Sequence, residues 1–324
     1  MENKLLKPRV FVSRCLGFAR CRWNGDIIAD EFVEKLGPYV TYINTCPEFE
    51  IGLGVPRDPV RIVFKDDSYR LMQLNTEEDL TAKMSGFVSS YLASLEDIDG
   101  FILKDRSPSC GLKDVKVYAS LKPSSSIKRT SGFFAQGVLE DFPGLAIESE
   151  ARLSNFLIRE HFLTRVFTCA RFRQIKKEPL MKDLVQFHAE NKFLLMAYSQ
   201  KHLKTMGNTV ANRDKRQTGE VFKEYEQNLS EALDKAPKFT AAINVLMHGL
   251  GYFSDRLAKE EKRFFLNTLE EYRREQVPLS VPVNLMRSYI IRFDEPYLRQ
   301  QTFFEPYPQE LVEVKDSGKG RNYK

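Results

Sequence analysis

Three cysteines stand in turns that follow short apolar runs, and side chains placed in this way are suited to holding a metal. Cys15 precedes Leu16-Gly17, Cys46 precedes Pro47, and Cys110 lies between Ser109 and Gly111. Turns that follow strands gather at one edge of a sheet, so three thiolates can meet there. Three thiolates around a metal or an iron–sulfur cluster leave one coordination position open for chemistry.

Each cysteine also has a simpler interpretation, since a lone cysteine is most often a small buried hydrophobe. Cys21, six residues after Cys15, is a candidate fourth ligand, whereas Cys169 falls in an aromatic-rich helical pattern typical of a core. The paired C-x-x-C spacing of structural zinc sites is absent, and no histidine is near these cysteines. The spacing predicts a three-cysteine site but does not distinguish zinc from iron–sulfur.

Reactive and cationic side chains flank these cysteines. Glu48 is a candidate general acid or base, and Ser107 a candidate for positioning substrate or water. The alternatives are a solvated loop carboxylate for Glu48 and surface ion pairing for the arginines. The cations suited to binding a phosphate or a carbonyl oxygen are Arg22, Arg57, Arg61 and Lys104.

The first half of the chain alternates apolar runs with helical patterns, which is typical of an α/β domain with parallel strands. We therefore predict a Rossmann-like layered sheet over residues 1–173. The predicted strands are 9–12, 39–43, 100–103 and 144–147, with a β-ribbon of 60–64 and 69–72. The predicted helices are 30–36, 76–95 with Thr76 as N-cap, and 152–173. All three cysteines follow strands, where ligands of such sheets bind.

The second half is predicted to be an all-α domain over residues 181–314. A charged segment, 174–180, is predicted to be a linker before it, and the polar, basic tail 315–324 is predicted to be disordered. The helical patterns cover 181–205, 221–232, 238–250 and 259–274, with proline-broken helical segments over 278–308.

Length and composition indicate a cytoplasmic globular protein of two domains. The 324 residues are 42% hydrophobic and 29% charged, which is ordinary for a soluble fold. The pattern of the first residues does not predict a secretory signal, and no run of about 18 apolar residues occurs in the sequence, so we expect no membrane association. Five cysteines in so long a chain do not make a disulfide scaffold, which favours metal binding or catalysis.

The positive charge lies in the second half. Residues 171–324 carry 27 Lys and Arg against 21 Asp and Glu, whereas residues 1–170 carry 22 against 23. A neutral first half joined to a basic second half suggests a polyanionic partner, although a solvated helix face is the alternative. The candidate phosphate contacts are Lys201, Lys204, Arg213, Lys215, Arg216 and Lys238.

The motifs around the cysteines, taken together and in order, resemble those of the thiouracil desulfidase (TudS-like) family over roughly residues 8–150. Two positions depart from the family pattern: Leu16 stands alone where the family has two leucines, and Asn24 replaces an Asp. The matching motifs are Val12-Ser13-x-Cys15-Leu16-Gly17, Cys21-Arg22-Trp23-Asn24-Gly25, Cys46-Pro47-Glu48, Gly54-Val55-Pro56-Arg57-x-Pro59-x-Arg61 and Lys104-x-x-Ser107-Pro108-Ser109-Cys110-Gly111.

This resemblance implies a 4Fe–4S cluster held by Cys15, Cys46 and Cys110, with a fourth iron open to the sulfur of a thiocarbonyl. It also implies that Glu48 and Ser107 form the catalytic pair. The second half resembles a YbgA-like helical domain through motifs such as Asn244-Val245-Leu246-x-His248 and Phe303-Phe304-x-Pro306-Tyr307-Pro308.

The fusion of these two domains resembles the RudS group, which implies removal of sulfur from 4-thiouridine in tRNA, with tRNA as the partner and no obligate protein partner. Two alternatives stay open. One is a desulfidase of free thiouracil or 4-thio-UMP, and the other is a non-catalytic iron–sulfur protein that binds RNA or acts as a sensor.

Overall fold

The first part of the chain is an α/β domain, as predicted. The structure is a computed structural model, and it describes residues 6–122 and 125–313. The tail predicted to be disordered, 315–324, lies outside these residues. The elements in chain order are β1 (Arg9–Ser13), α1 (Glu31–Leu36), β2 (Thr41–Thr45), α2 (Pro47–Glu50), β3 (Val60–Lys65), β4 (Ser68–Gln73), α3 (Thr81–Ala93), β5 (Gly100–Leu103), β6 (Val115–Tyr118), β7 (Lys128–Thr130), α4 (Phe133–Asp141), β8 (Ala146–Ser149), α5 (Glu150–Leu153) and α6 (Phe156–Lys176).

Four parallel strands form the sheet that carries the cysteine turns. Their order is β2-β1-β5-β8, and β1 pairs with β2 on one side and with β5 on the other. Val10, Phe11 and Val12 at its centre are fully buried, because helices and loops cover both faces of a parallel sheet. The four carboxyl ends therefore lie along one edge.

The predicted β-ribbon is part of a second sheet with the order β4-β3-β6-β7. Ile62 of β3, Leu71 of β4 and Val117 of β6 pack into the same core as Phe11 and Phe101 of the first sheet. The strands β6 and β7 were not predicted, because they are only four and three residues long and have charged residues on their outer face.

Several predicted boundaries were wrong for local reasons. The helix predicted from Thr76 begins at Thr81, because Glu77 has a φ of 57° and the chain first forms a bridge between Met72 and Asp79. The strand predicted from residue 39 begins at Thr41, after a 3-10 helix at Gly37–Tyr39.

The helix predicted over 152–173 is instead two helices, α5 and α6. The second of these continues to Lys176, three residues into the segment predicted as a linker. Pro179 follows shortly afterwards, and a proline disfavours helical backbone at the residue before it.

The chain divides into two compact units between Ala170 and Arg171. The described residues of the second unit are helical, as predicted, and no helix in the described chain is long and apolar enough to cross a bilayer. Its elements after α6 are α7 (Met181–Glu190), α8 (Lys192–Tyr198), α9 (Gln200–Ala211), α10 (Thr218–Ala232), α11 (Phe239–Gly251), α12 (Lys259–Arg273), α13 (Ser280–Arg292) and α14 (Pro296–Arg299).

The single helical pattern predicted over 181–205 is three helices, because two polar residues interrupt it. Asn191 turns its side chain back to the carbonyl of Phe187 at 2.8 Å and ends α7. Ser199 is extended, and its hydroxyl accepts a hydrogen bond from the His202 amide, which caps α9. A polar residue at a helix end can satisfy backbone groups that would otherwise be unpaired.

The turn that carries Cys110 rests directly on Gly132, the residue before α4. A Cβ atom on Gly132 would lie 2.5 Å from the carbonyl carbon and oxygen of Ser109. We expect Gly132→Ala to lower the free energy of unfolding of the first unit by about 1–3 kcal/mol, because backbone must move to admit the methyl group. Urea unfolding followed by the fluorescence of Trp23, the only tryptophan in the chain, measures this.

The matched control is Gly86→Ala in the middle of α3, where an added Cβ meets nothing within 4 Å. That substitution should leave the first unit equally or more stable, by about 0.5–1 kcal/mol, since alanine favours a helix over glycine. Equal stability of the Gly132→Ala variant and the wild type would show that the Cys110 turn accommodates the methyl group without a loss of unfolding free energy.

Candidate active site

A cavity of about 400 Å³ opens at the carboxyl ends of β1, β2 and β5. This volume is within the range of small-molecule sites. Eight of the predicted site residues line it, and so does Cys21, the candidate fourth ligand. The residues in question are Cys15, Cys46, Cys110, Glu48, Ser107, Arg22, Arg57 and Lys104.

Each of these three cysteines follows a different strand of the first sheet and lines the cavity. Cys15 lies two residues beyond β1, Cys46 lies between β2 and α2, and Cys110 lies seven residues beyond β5. The Cys15 loop is held by a hydrogen bond from the Ile28 amide to the Cys15 carbonyl at 2.8 Å. The structure thus brings together the three cysteines that were predicted to act together.

Cys21 is a fourth thiol at the same place. Its carbonyl accepts a hydrogen bond from the Cys46 thiol at 3.6 Å, and the neighbouring Cys15 thiol, together with burial, raises the pKa of Cys21 to about 11. Its contacts put Cys21 in the cluster of thiols, where the sequence left its role open.

The other buried thiols also favour their protonated form. The hydrogen bond with Cys21, burial and the nearby charge of Glu48 raise the pKa of Cys46. Burial and the Glu48 charge raise the pKa of Cys110 well above its usual range. A negative charge on these sulfurs therefore needs a compensating cation, and a bound metal supplies one by deprotonating its thiol ligands.

The donor set fits an iron–sulfur cluster. Among the described residues, four thiols and no histidine line the cavity, and thiolates are the ligands of such clusters. Within residues 6–122 and 125–313, no three Cys, His, Asp or Glu side chains are arranged to hold a single metal ion. A cubane cluster places its cysteine ligands on different iron atoms, so its ligands do not converge on one point.

Glu48 and Ser107 form a hydrogen-bonded pair beside the thiols. The Ser107 hydroxyl lies 3.4 Å from Oε1 of Glu48, and the other carboxylate oxygen, Oε2, lies 3.4 Å from the Cys46 Sγ. The amides of Ser109 and Cys110 donate to the Ser107 Oγ at 3.2 and 3.1 Å. These two donors leave the hydroxyl proton of Ser107 to point toward the carboxylate.

The guanidinium of Arg57 is buried next to the Glu48 carboxylate and the Cys46 sulfur. Its side chain is 6% exposed and donates to the carbonyls of Cys21 at 2.9 Å and Gly54 at 3.1 Å. Its Nη2 lies 3.9 Å from both the Cys46 Sγ and Oε2 of Glu48. Arg57 is therefore a buried positioning residue rather than the surface ion pair considered as the alternative.

The fourth parallel strand contributes a residue that was not predicted. Glu150 follows β8 directly, pairs with the Lys104 ammonium, and accepts a hydrogen bond from the Asp105 amide at 2.7 Å. Ser13 at the end of β1 accepts from the Lys104 amide at 2.9 Å. The position of Glu150 after a parallel strand is the signal that could have found it.

Arg61 does not line the cavity. Its guanidinium lies 3.9 Å from the centre of the Tyr118 ring and donates to the Leu121 carbonyl at 3.4 Å in the second sheet. The adjacent Val60 reaches the cavity instead.

The cations predicted to contact phosphates lie in the second unit. Lys201 and Lys204 on α9 are exposed, as are Arg213, Lys215 and Lys238. Arg216 differs from them because it pairs with Glu224.

The first part of the chain matches a family profile described as 2-thiouracil desulfurase over residues 10–150. The chain is also 32% identical over 110 residues to a Bacillus subtilis (strain 168) protein called Uncharacterized protein YbbK, a match that covers 32% of this chain and 72% of that protein. The chain belongs to the 2-thiouracil desulfurase family. The resemblance found in its motifs is confirmed.

The second part matches a profile described as a protein of unknown function, DUF1722, over residues 192–308. The Escherichia coli (strain K12) protein called Uncharacterized protein YbgA is 26% identical over 158 residues, which cover 48% of this chain and 93% of that protein. The chain thus joins a desulfurase-family domain to a YbgA-like domain. The solved structure of TudS, a [4Fe-4S]-dependent thiouracil desulfidase, is 24% identical, covers 45% of this chain and 93% of its own, and has a TM-score of 0.37.

Substitution of Arg57 tests whether it holds this desulfurase-family site together. We expect Arg57→Gln to lower the free energy of unfolding of the first unit by about 2–4 kcal/mol, because it leaves the buried Glu48 and the Cys21 carbonyl without their partner. Urea unfolding followed by Trp23 fluorescence measures the loss.

Arg129→Gln is the matched control, because Arg129 pairs with Asp114 at 3.0 Å on the surface and both side chains are more than half exposed. Its effect should stay within about 0.5 kcal/mol. If the two substitutions have the same effect, the buried contacts of Arg57 add nothing to stability.

Proposed function

We propose that this chain is an iron–sulfur-dependent desulfidase that replaces the thiocarbonyl sulfur of 4-thiouridine in tRNA with oxygen. Water enters, the C=S bond becomes C=O, and hydrogen sulfide leaves, so no electrons are gained or lost. The observation that carries the proposal is the Glu48–Ser107 pair in one cavity with the cysteine thiols. The membership of the first domain in the 2-thiouracil desulfurase family supports the same reaction.

Cys15, Cys46 and Cys110 would hold a 4Fe–4S cluster in this cavity. When bound, a cluster with an open iron supplies a Lewis acid suited to the soft sulfur of a thiocarbonyl. The thiol lining of the cavity supports this assignment, since thiolates are the ligands of such clusters. Cys21 is the remaining thiol of the cavity, in contact with two of these ligands.

Glu48 acts as the base that takes a proton from the attacking water. Its side chain is 10% exposed, and Arg57 and Ser107 contact its two oxygens. Ser107 donates to this carboxylate while two backbone amides fix its oxygen, so its hydroxyl holds Glu48 in position for the proton transfer.

The helical unit would bind the RNA backbone through the exposed cations on and after α9. Lys201 and Lys204 are three residues apart on that helix and therefore lie on one face. Arg213 and Lys215 follow in the loop before α10. Such contacts are independent of base sequence and weaken with salt. A cytoplasmic location accords with a tRNA substrate.

Desulfuration of a free thionucleotide is the second candidate, and the cavity volume favours it, since about 400 Å³ accommodates one nucleotide without an RNA chain. The two candidates share their chemistry and differ in the size of the substrate.

The decisive test is anaerobic. The full-length protein is loaded with iron and sulfide, 4-thiouridine-containing tRNA or 4-thio-UMP is added, and loss of thiocarbonyl absorbance is followed together with sulfide release. We expect Cys15→Ser, Cys46→Ser and Cys110→Ser to lose the iron, and Glu48→Gln to keep the iron but lose at least about a hundredfold in turnover. Cys169→Ser is the control, because Cys169 lies on α6 outside the cavity.

Each outcome assigns the chain differently. Turnover of tRNA well above that of 4-thio-UMP supports the proposed substrate, and the reverse preference moves the substrate to free nucleotides. Iron binding without sulfide release from either substrate contradicts the desulfidase and leaves an iron–sulfur binding or sensing protein. Unchanged turnover of Glu48→Gln removes Glu48 from the mechanism.

Neutralising the cations on and after α9 tests the RNA interaction separately. We expect Lys201→Gln/Lys204→Gln/Lys215→Gln to weaken tRNA binding and to reduce the slope of log K against log salt by about 2–3, at about 0.7–0.9 for each phosphate that is no longer neutralised. Turnover of 4-thio-UMP should not change. The control is Lys259→Gln/Lys262→Gln/Arg263→Gln on α12. If this variant weakens tRNA binding equally, the effect is one of general charge rather than of the cations on and after α9.

A further inference from the structure

The cavity has one aromatic side chain among its described lining residues, Trp23, which is also the only tryptophan in the chain. It is 48% exposed. A large aromatic ring usually buries most of its surface, so a half-exposed tryptophan at the rim of a cavity indicates a surface kept open for a ligand.

The backbone of Trp23 is fixed although its ring is exposed. The Gly25 amide donates to the Arg22 carbonyl at 2.9 Å and closes a tight turn around Trp23. Gly25 has a φ of 78°, which favours glycine. The Arg57 amide donates to the Trp23 carbonyl at 2.8 Å. The turn is therefore tied to the segment that also positions the buried guanidinium of Arg57.

The rest of the lining divides into a polar and an apolar part. Pro47, Pro59, Val60 and Pro108 offer apolar surface, whereas the thiols, Glu48 and Ser107 make up the reactive part. A flat ring that enters this cavity needs apolar contact on its faces and polar contact at its edge. An aromatic side chain is the group that meets the first need, because every nucleobase has a π-face.

We propose that the indole of Trp23 is the stacking platform for the thiopyrimidine ring of the substrate. This inference rests on the proposed function and names the residue that holds the base while the thiocarbonyl faces the thiols and Glu48. Stacking on one face leaves the ring edge free, so Trp23 selects for a planar base and contributes to binding rather than to the chemical step.

The single tryptophan makes the contact observable without turnover. The full-length protein is titrated with UMP and with 4-thio-UMP under anaerobic conditions while indole fluorescence is followed. UMP does not absorb where tryptophan emits, so energy transfer to the ligand cannot account for quenching by UMP. We expect saturable quenching by both nucleotides.

Kinetics with 4-thio-UMP then test the stacking itself on the iron-loaded protein. Base–aromatic stacking corresponds to roughly a 5- to 150-fold change in affinity. We expect Trp23→Leu to raise KM about tenfold or more with kcat within about threefold, and Trp23→Phe to stay close to the wild type because it keeps a ring. Phe264→Leu is the control, since Phe264 is a 62% exposed aromatic residue in the second unit.

The outcomes separate this inference from the proposed function. Sulfide release with an unchanged KM in Trp23→Leu, or saturating UMP with unchanged indole emission, overturns the platform and leaves the desulfidase in place. If the Trp23→Leu variant no longer binds iron, Trp23→Ala decides in its stead, and an unchanged KM in Trp23→Ala overturns the platform. No sulfide release by the wild type from any thionucleotide overturns both proposals.

Discussion

The parallel pairing of β1 with β2 and β5 is the constraint on which the rest of the site depends. Parallel neighbours end at the same edge, so three turns that are far apart in the chain meet there. The register between β1 and β2 pairs Ser13 with Thr45, which puts Cys15 two residues and Cys46 one residue beyond a common level. Buried residues on both faces of β1 hold that register, because a one-residue shift would exchange the two faces and disrupt their close packing.

A buried charge pair sets the second condition for this site. Glu48 and Arg57 are both nearly inaccessible, and burying either alone would be costly. Arg57 also satisfies two loop carbonyls and lies beside the Cys46 sulfur, so its side chain links the carboxylate and the thiols, and its backbone amide holds the Trp23 turn. The site therefore depends on a cation that contributes position rather than chemistry, and its loss would affect binding and reaction together.

The surroundings of the buried cysteines disfavour free thiolates. The hydrogen bond with Cys21 raises the pKa of Cys46, and burial and the nearby charge of Glu48 raise the pKa of both Cys46 and Cys110. In an iron–sulfur site the same surroundings become useful, because a carboxylate close to the ligand sulfurs is also close to a substrate bound there. The arrangement that disfavours free thiolates would thus, in the proposed reaction, place Glu48 beside the thiocarbonyl.

The sequence by itself determined the class of each domain, the cysteine turns, the Glu48–Ser107 pair and the family, because these follow from local residue types and short motifs. It did not determine the roles of Arg57 and Glu150, the helix breaks at Asn191 and Ser199, or the second sheet, which depend on partners distant in the chain. Arg57 and Arg61 show the difference. They are four residues apart in one motif, yet the tertiary structure buries the first beside Cys46 and places the second over Tyr118, because one precedes β3 and the other is within it. Cys21 likewise joins the thiols through its contacts with Cys46 and Cys15, and the contact with Cys46 is one that no spacing along the chain encodes.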